Sequence, residues 1–410
     1  MRAFGIYVHV PFCRRKCNYC DFYSLAGRTD FKAFLAALQK EMTQHSASPP
    51  FEGFVAQTLY FGGGTPSLLS TDDFGSLLDR LQTCFKFAPD IEVSLEANPG
   101  TIQQDELKRL VELGFTRVTL GVQSFNPKEL LFLTRIHSIA ESLSSLKSLR
   151  SAGFANIGVD LIFGIPGQTL QTWRDTLVQS LEAQVQHVSM YCLTYESGTA
   201  LNRMLQAGAF VRCDESLERE MYLLGKDLLQ SAGLEHYEIS NFARPGARSR
   251  HNENYWNGTP YLGFGPSAHS FHTHWPNCSP AECETRRWWN QADLDKYLLA
   301  LANGKMPIQG DEILTRADEM TETILLGLRR KEGISERDWQ DRFGTRLKLS
   351  LSHALETIGG IDLHTEPFSF SQSEKLLCQG DGAVCLTEQG LLLYDSICHH
   401  LNANLQETDS

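Results

Sequence analysis

The sequence predicts an α/β fold: a partial (β/α)6 barrel of the TIM type, followed by a small C-terminal helical, winged-helix-like domain. Three observations predict it. Short apolar runs alternate with helical patterns through the first half of the 410-residue chain. A helix–glycine–strand unit recurs along that half. The last part of the chain changes to closely spaced helices and one hairpin.

Composition and charge narrow the class of protein. Hydrophobic residues make up 42% and charged residues 21%, as in ordinary globular proteins. The formal net charge of −12 disfavours nucleic acid as a partner. No apolar stretch approaches the roughly 20 residues that a membrane helix needs, and the N-terminus lacks the pattern of a secretory signal. We therefore expect a cytoplasmic protein with no nucleic-acid partner.

The first-half elements follow from the spacing of apolar residues. Residues 4–9 and 59–61 are continuous apolar strands, whereas residues 92–97 alternate apolar and polar side chains. Between them, Phe31, Phe34, Leu35, Leu38 and Met42 form the apolar stripe of a helix. Further along, residues 187–194 fit a sixth strand and residues 217–229 a long helix.

An internal repeat supports parallel β/α units. The segments LVELGFTRVTLGVQSF, LRSAGFANIGVDLIFG and LLQSAGLEHYEISNFA share one order: helix end, glycine, apolar residue, strand. Gly114, Gly153 and Gly233 stand where a helix end favours a left-handed residue. Helices between successive strands are typical of a parallel sheet. Periodicity alone leaves an open Rossmann-like sheet as the alternative.

Changes in composition suggest the domain boundaries. We assign residues 1–235 to the barrel, and residues 236–290, rich in aromatics and histidine, to a connecting segment. Residues 291–401 form the C-terminal domain, with helices near 292, at 315–330, 335–343 and 347–358, a hairpin at 380–382 and a last helix over 388–401. Residues 402–410 are a polar tail.

Three of the eleven cysteines carry the strongest chemical signal. Cys13, Cys17 and Cys20 form a CxxxCxxC motif directly after the first strand. Zinc sites usually have four ligands, whereas three close thiolates suit a 4Fe–4S cluster with one iron left open. A loop after a barrel strand lies at the carboxyl end, where catalytic groups are found. The odd cysteine count argues against a disulfide framework, so we expect the scattered cysteines, Cys385 among them, to be small buried hydrophobes.

The residues around the motif carry a family resemblance. The pattern YxHxPFCxxxCxxC includes Tyr7, His9, Pro11 and Phe12. It resembles radical S-adenosylmethionine (SAM) proteins of the oxygen-independent coproporphyrinogen III oxidase group, and the resemblance extends over residues 4–400. It implies that Cys13, Cys17 and Cys20 bind a 4Fe–4S cluster whose open iron binds SAM.

The resemblance also implies a SAM site at the strand ends. Glycines let main-chain groups approach a ligand closely, a strand-end carboxylate suits ribose hydroxyls, and an acid inside an apolar strand needs a partner. In the family the arginine pairs with a carboxylate and the tyrosine after the second cysteine packs near adenine. The SAM-binding residues implied are Tyr7, Tyr19, Gly63, Gly64, Thr65, Glu96, Gln123, Arg135, Asp160 and Thr194.

Within that group the chain is more similar to the haem-chaperone branch than to the oxidases. It has Phe22 where the oxidases have a further cysteine, and only twelve residues before the triad. The motifs CNYCDFYS, HNENYW and GFGPSAHS match the chaperone branch. This implies haem binding and delivery to haem-requiring proteins, membrane respiratory enzymes included, at the membrane periphery. Anaerobic coproporphyrinogen III dehydrogenase is the alternative, and whether SAM is cleaved stays open.

A haem carrier needs apolar walls, an axial ligand and cations for the propionates. His251 is our first candidate ligand and His269 the second. Aromatic residues offer walls: Tyr255, Trp256, Phe271, Trp288 and Trp289. Arginines offer propionate contacts: Arg248, Arg250, Arg286 and Arg287. The spacing of His272, His274, Cys278 and Cys283 is too irregular to predict a metal site.

Overall fold

Two hydrophobic cores organise the chain in the computed structural model, which describes residues 2–46, 51, 53–273, 284–351, 376–380 and 382–405. The larger core runs from Phe4 to Leu301 and the smaller from Met320 to Leu401. The division between the cores therefore lies after Leu301, whereas the sequence placed it at residue 291. The helix near 292 belongs to the barrel core because its inner side chains pack there.

Several strands and helices extend the predicted elements by a few residues. The sixth barrel strand instead ends at Cys192, the helix predicted at 315–330 spans 316–327, and the last predicted helix is divided into two. The strands are β1 (Arg2–Val10), β2 (Phe12–Cys13), β3 (Leu25–Ala26), β4 (Phe54–Gly63), β5 (Lys86–Ala97), β6 (Arg117–Gln123), β7 (Asn156–Phe163), β8 (His187–Cys192), β9 (Glu235–Glu238), β10 (Asn241–Ala243), β11 (Tyr261–Phe264), β12 (His269–His272), β13 (Arg286–Asn290), β14 (Ile308–Ile313), β15 (Ile334–Ser335), β16 (Leu377–Gly380) and β17 (Ala383–Leu386). The helices are α1 (Phe31–Ser46), α2 (Thr71–Cys84), α3 (Gln104–Glu112), α4 (Pro127–Phe132), α5 (Ile139–Ala152), α6 (Leu170–Glu182), α7 (Ala200–Gln206), α8 (Glu215–Ser231), α9 (Arg250–Trp256), α10 (Leu294–Ala302), α11 (Arg316–Gly327), α12 (Glu336–Phe343), α13 (Leu347–Ser350), α14 (Glu388–Leu391) and α15 (Tyr394–Ala403).

Six parallel strands form the barrel. They are adjacent in the order β1-β4-β5-β6-β7-β8, and every neighbouring pair is parallel. Helices connect β4 through β8 in turn, as parallel pairing requires. The predicted partial (β/α)6 barrel is confirmed, and its strands bring their carboxyl ends to one mouth.

The sheet continues beyond the barrel on both sides. Next to β8 lies β10, which pairs antiparallel with β8 and with β9. Next to β1 lies β11, followed by the antiparallel strands β12, β13 and β14. Residues 236–290, expected to be a connection, thus supply sheet strands. The third sequence repeat differs from the first two because its strand β9 turns back into β10 and does not pair with β8.

Helix ends follow the sequence signals. Gly114, Gly153 and Gly233 all have positive φ angles, and Gly153 caps α5 in the left-handed conformation. At the other end of α5, Ser138 and Glu141 form a reciprocal capping box. These caps determine where each helix ends and the chain continues towards the next strand.

The smaller core joins helices to a three-stranded antiparallel sheet, β15-β17-β16, as in a winged helix. Cys378 and Cys385 face each other across the hairpin with Cα atoms 5.2 Å apart and form a disulfide. Cys385 is therefore not the free buried thiol we expected, because hairpin register places a second cysteine opposite it. The predicted helix over 347–358 beyond Leu351, residues 406–410 of the tail, and His274, Cys278 and Cys283 lie outside the described residues.

Among the described residues, no helix is both long and apolar enough to cross a membrane.

Candidate cofactor site at the barrel mouth

The cysteine loop follows β1 and is tied down at both its ends and its middle. β2 and β3 pair in parallel and close the base of the loop. At the middle, the main-chain nitrogen of Asn18 donates to Thr134 Oγ1 at 3.0 Å, and its side-chain nitrogen donates to the Phe132 carbonyl at 2.8 Å. The loop is thereby fixed over the ends of the neighbouring strands.

The three loop cysteines line one cavity. Cys13, Cys17 and Cys20 are partly exposed and free of disulfides. Burial raises the pKa of the Cys20 thiol, and the nearby Cys17 and Cys13 thiols raise it further. Among the described residues, no three His, Cys, Asp or Glu side chains converge on one metal-ion position. The thiolates that hold a 4Fe–4S cluster each bind a different iron, so they need not converge on one point.

The cavity occupies about 440 Å³ at the carboxyl ends of the strands, within the size range of small-ligand sites. It brings together nine of the ten residues proposed for SAM. These are Tyr19, Gly63, Gly64, Thr65, Glu96, Gln123, Arg135, Asp160 and Thr194.

The glycine run forms one wall by close approach of the main chain. Gly63 has a φ of 108°, and a Cβ there would lie 2.5 Å from the His9 ring. A Cβ on Gly64 would lie 2.7 Å from the Phe12 carbonyl oxygen. A side chain at either position would collide with β1 or with the cysteine loop. The sequence expectation that these glycines let main chain approach a ligand fits this geometry.

Glu96, the last residue but one of β5, is a partly buried acceptor with two donors. Its Oε1 accepts from the Tyr60 hydroxyl at 2.7 Å, and its Oε2 accepts from the Gly63 nitrogen at 3.1 Å. Burial raises the Glu96 pKa to about 7, and the Asp160 charge contributes to that rise. Sequence reasoning missed Tyr60, although its inward position two residues before Gly62 was a signal.

Arg135 connects the cysteine loop to the strand ends. Its Nη1 donates to Cys17 Sγ at 3.4 Å, and its Nη2 donates to the Gly121 carbonyl and to Asn98. Its Nε is buried and has no hydrogen-bond partner among the described residues. Asn98 in turn donates to Thr65 Oγ1 at 2.9 Å. An unpaired buried donor beside a cavity is what an anionic ligand group would satisfy; Asn98 was not foreseen.

Asp160, in the middle of β7, and Gln123, the last residue of β6, both line the cavity. Burial raises the Asp160 pKa to about 6, while a hydrogen bond from Ser189 opposes the rise. The partner that an acid in an apolar strand needs is therefore Ser189. Gln123 has a φ of 67° at a bulge in β6, an uncommon conformation outside glycine that often marks ligand sites.

Tyr7 does not line the cavity, contrary to the expectation. Its hydroxyl hydrogen-bonds His9 Nδ1 at 3.1 Å, and its ring stacks on Tyr60. It lies lower in the barrel because its position on β1 precedes the strand end by three residues. Tyr7 therefore lies below the cavity, in contact with His9 and Tyr60.

His251 is also placed differently from the expectation. It is 1% exposed, on α9, beside Thr58 of β4 and Glu92 of β5. Its Nδ1 hydrogen-bonds Thr58 Oγ1 at 2.8 Å and its Nε2 hydrogen-bonds the Tyr255 hydroxyl at 2.9 Å. Both ring nitrogens are therefore engaged, and the ring lies at the end of the barrel opposite the cysteines. This removes His251 as an axial ligand in this structure.

His269 is exposed at the start of β12. Its ring stacks on the Trp289 ring, with centroids 5.7 Å apart and planes at 24°. Burial of part of the ring lowers its pKa. The expected propionate contacts are already paired with acids: Arg248 with Glu332, Arg250 with Asp90, Arg286 with Asp311 and Arg287 with Glu322.

The barrel and the cysteine triad fit a 4Fe–4S cluster. The close glycine main chain and the unpaired donor of Arg135 fit SAM beside it, and together these features define a radical SAM protein. The Radical SAM superfamily model matches residues 7–179, and the HemN C-terminal domain model matches residues 314–393. The radical SAM family implies a 4Fe–4S cluster and SAM.

Curated relatives narrow the family. The chain is 38% identical to the heme chaperone HemW of Mycobacterium tuberculosis over 81% of this chain and 83% of the relative. It is 31% identical to heme chaperone HemW of Bacillus subtilis over 95% and 97% of the two chains. It is 32% identical to the mitochondrial radical S-adenosyl methionine domain-containing protein 1 of Bos taurus over 98% and 88%. The chain belongs to the HemW family.

A solved structure confirms the fold. The coproporphyrinogen III oxidase HemN of Escherichia coli superposes with a TM-score of 0.81, covering 98% of this chain and 91% of that chain. The two sequences are 23% identical, so this likeness establishes the shared architecture and nothing about the reaction.

Proposed function

We propose that this protein is a haem chaperone that carries a 4Fe–4S cluster and SAM in its barrel. The observation that carries the proposal is the 38% identity to a heme chaperone HemW over 81% of the chain. Haem is the cargo that the relative's name gives. We extend the proposal to the recipients: haem-requiring respiratory proteins, membrane-bound ones included, which the chaperone meets from the cytoplasm at the membrane periphery.

Cys13, Cys17 and Cys20 supply the three thiolates of the cluster. The group that they hold supplies one-electron chemistry and an open iron for SAM. Hydrogen bonds to cluster sulfurs raise reduction potentials, and here Arg135 donates to Cys17 while Thr65 donates to Cys13. These two donors support a cluster whose potential the protein adjusts.

SAM is held by groups from successive strands. The main chain at Gly63 and Gly64 receives the methionyl end, and Glu96 accepts from the ribose hydroxyls. The unpaired Nε of Arg135 is available to the SAM carboxylate. Tyr19 packs near adenine, while Thr65, Gln123, Asp160 and Thr194 complete the lining.

His269 is the haem ligand that the geometry supports. Its exposure makes it accessible, its stacking on Trp289 restricts the ring, and its lowered pKa favours the neutral imidazole that binds iron. Register places it on the same face of the sheet as Tyr7, because Gly263 pairs with Tyr7 and Tyr261 pairs with Phe271. Haem at His269 would therefore lie on the extension of the cavity face.

The test combines a haem titration with an activity assay on anaerobically reconstituted protein. We expect stoichiometric haem binding by absorbance, and transfer of that haem to an apo-haemoprotein. With coproporphyrinogen III, SAM and a reductant, we expect no decarboxylated product. Product formed over many turnovers would instead establish the dehydrogenase.

A substitution tests the ligand. His269→Ala is expected to weaken haem affinity by at least about tenfold, because one axial bond is lost. His399→Ala, at an exposed histidine on α15, is the matched control and should leave affinity unchanged. An unaltered haem spectrum and affinity in the His269 variant would remove this ligand.

A further inference from the structure

Helix α9 and the segment around it close the barrel at the end opposite the cysteine loop. The Gly5 nitrogen donates to the Pro260 carbonyl at 3.0 Å, near the beginning of β1. The His251 nitrogen donates to Glu92 Oε1 at 3.1 Å, in β5. Arg117, buried at the start of β6, donates to the carbonyls of residues 247 and 248. The HNENYW motif is thus part of a plug inside the barrel.

The His251 ring is locked at this position from several sides. Thr58 and Tyr255 hydrogen-bond its two nitrogens, and Asn254 also donates to Thr58 Oγ1 at 2.9 Å. Burial lowers the pKa of His251 to about 3, so the ring is neutral. Because both nitrogens of this neutral ring are hydrogen-bonded, the plane of the ring is fixed, and side chains on the cavity side can pack against its face.

The fixed plane supports the residue that holds Glu96. Tyr60 stacks on His251 with ring centroids 4.9 Å apart and planes at 22°. The Tyr60 hydroxyl is the 2.7 Å donor to Glu96 Oε1. A hydroxyl at the end of a stiff ring is positioned by what packs on the face of that ring. The plug and the cavity acid are therefore connected through one aromatic side chain.

We propose that His251 is a positioning residue for the SAM site: its ring stacks on Tyr60 and so holds Glu96 in the orientation that accepts from the ribose. This rests on the proposed binding of SAM at Glu96. It gives the HNENYW motif a role that needs no contact with iron. Because the effect is transmitted by stacking of a ring that hydrogen bonds hold in place, an aromatic replacement should preserve only part of it.

The experiment measures SAM affinity on anaerobically reconstituted protein by equilibrium dialysis. His251→Ala is expected to weaken SAM binding about five- to tenfold, the effect of losing one well-placed hydrogen bond near a charge. His251→Phe keeps a stacking ring but loses the two hydrogen bonds that fix its plane, so its SAM affinity should lie between that of His251→Ala and that of wild type. Haem affinity should be unchanged in both variants.

Two further variants separate positioning from general destabilisation. His187→Ala is the matched control, because His187 is also buried and also bonds a tyrosine hydroxyl, but begins β8 and does not stack on Tyr60. It should lower the melting temperature and leave SAM affinity intact. Tyr60→Phe should weaken SAM binding like His251→Ala, and the double variant should be no weaker than either.

The outcomes distinguish a failure of the proposed SAM site from a failure of the positioning role of His251. Wild-type protein that binds no SAM would overturn the proposed site and this inference with it. Wild-type protein that binds SAM, with unchanged affinity in His251→Ala or with fully additive effects in the double variant, would overturn the inference alone. A loss of haem binding in His251→Phe would return the histidine to the role of ligand.

Discussion

At the scale of single residues, the cysteine triad is the feature on which the chemistry depends. Cys17 is the member whose sulfur accepts from Arg135, as that of Cys13 accepts from Thr65. A thiolate ligand of iron cannot be replaced by a methyl group. Cys17→Ala should therefore abolish the brown absorbance of the reconstituted cluster, with iron and sulfide contents falling by most of their value.

The control for this variant lies in the same chain. Cys84 is a free, half-buried cysteine at the end of α2, outside the cavity. Cys84→Ala should assemble the cluster as wild type does. If Cys17→Ala also retained full absorbance, iron and sulfide, the triad would not be the ligand set.

Glu96 gives a pH prediction for the SAM site. Its pKa is raised to about 7 chiefly by burial, with Asp160 adding to the rise, and Tyr60 and Gly63 donate to its oxygens. Protonation turns one acceptor oxygen into a donor. SAM affinity should therefore fall as the pH is lowered from 8 to 6, measured by dialysis on cluster-loaded protein. Glu96→Gln should bind more weakly at pH 8 and vary less with pH; an identical slope in both proteins would contradict the assignment.

At the scale of elements, local pattern predicted most of what the structure shows. The apolar stripe that begins at Phe31 became α1, and Gly153 ended α5 where expected. These features depend on neighbouring residues in sequence. The hairpin that follows Leu234 escaped prediction because strand pairing is a long-range property: the same helix–glycine–strand pattern serves a parallel unit at Gly114 and an antiparallel edge at Gly233.

The residues of the candidate site also fall into those that local sequence predicted and those that depend on long-range contacts. Glu96 and Arg135 were found because they carry charge at recognisable positions in a motif. Tyr60 and Asn98 were missed because a tyrosine or asparagine gains its role only from a partner that folding brings near. His251 was placed in the wrong role because a motif shows which residue matters and does not show which end of the barrel it occupies.

Glu41 provides a prediction at the scale of packed elements. This buried carboxylate on α1 accepts from the Gly265 nitrogen at 2.9 Å, the Tyr297 hydroxyl at 2.6 Å and the Asn290 amide. It thereby ties α1 to β13, α10 and the turn before His269. Burial nevertheless raises its pKa from about 4.5 to about 7. Between these pH values the folded chain holds a proton that the unfolded chain releases.

The stability that Glu41 contributes through its raised pKa decreases as the pH rises. A raised pKa in the folded state means that this contribution is present below pH 4.5 and is lost as the pH rises to about 7. In thermal melts, the difference in melting temperature between wild type and Glu41→Gln should therefore shift in favour of the variant between pH 5 and 8. Glu112→Gln, at an exposed acid on α3, serves as the control. A difference that is independent of pH would contradict the prediction.

At the scale of the whole molecule, several polar contacts join the two hydrophobic cores, and one of them is centred on Arg329. Glu238 of β9 has a fully buried side chain that pairs with Arg329, which follows α11, at 3.2 Å. The Arg329 guanidinium also lies 4.4 Å from the centre of the Trp256 ring on α9. Nearby, Lys226 of α8 pairs with Glu388 of α14 at 2.6 Å. Arg329 thus contacts the sheet edge and the barrel plug at once.

Removing one partner of this contact should separate the behaviour of the two cores. Arg329→Met leaves the buried Glu238 carboxylate without its ion-pair partner, with only Ser240 and Asn241 donating to it, which should cost about 2–4 kcal/mol, since the arginine is itself partly exposed. Hydrogen exchange should then accelerate in peptides of residues 316–343 while those of β4 to β7 stay protected. Arg329→Met combined with Glu238→Gln removes the stranded charge and should recover much of the loss. If the single variant were as protected as wild type, the Glu238–Arg329 pair would not hold the cores together, and if the double variant were worse than the single, the charge of Glu238 would not be the cause.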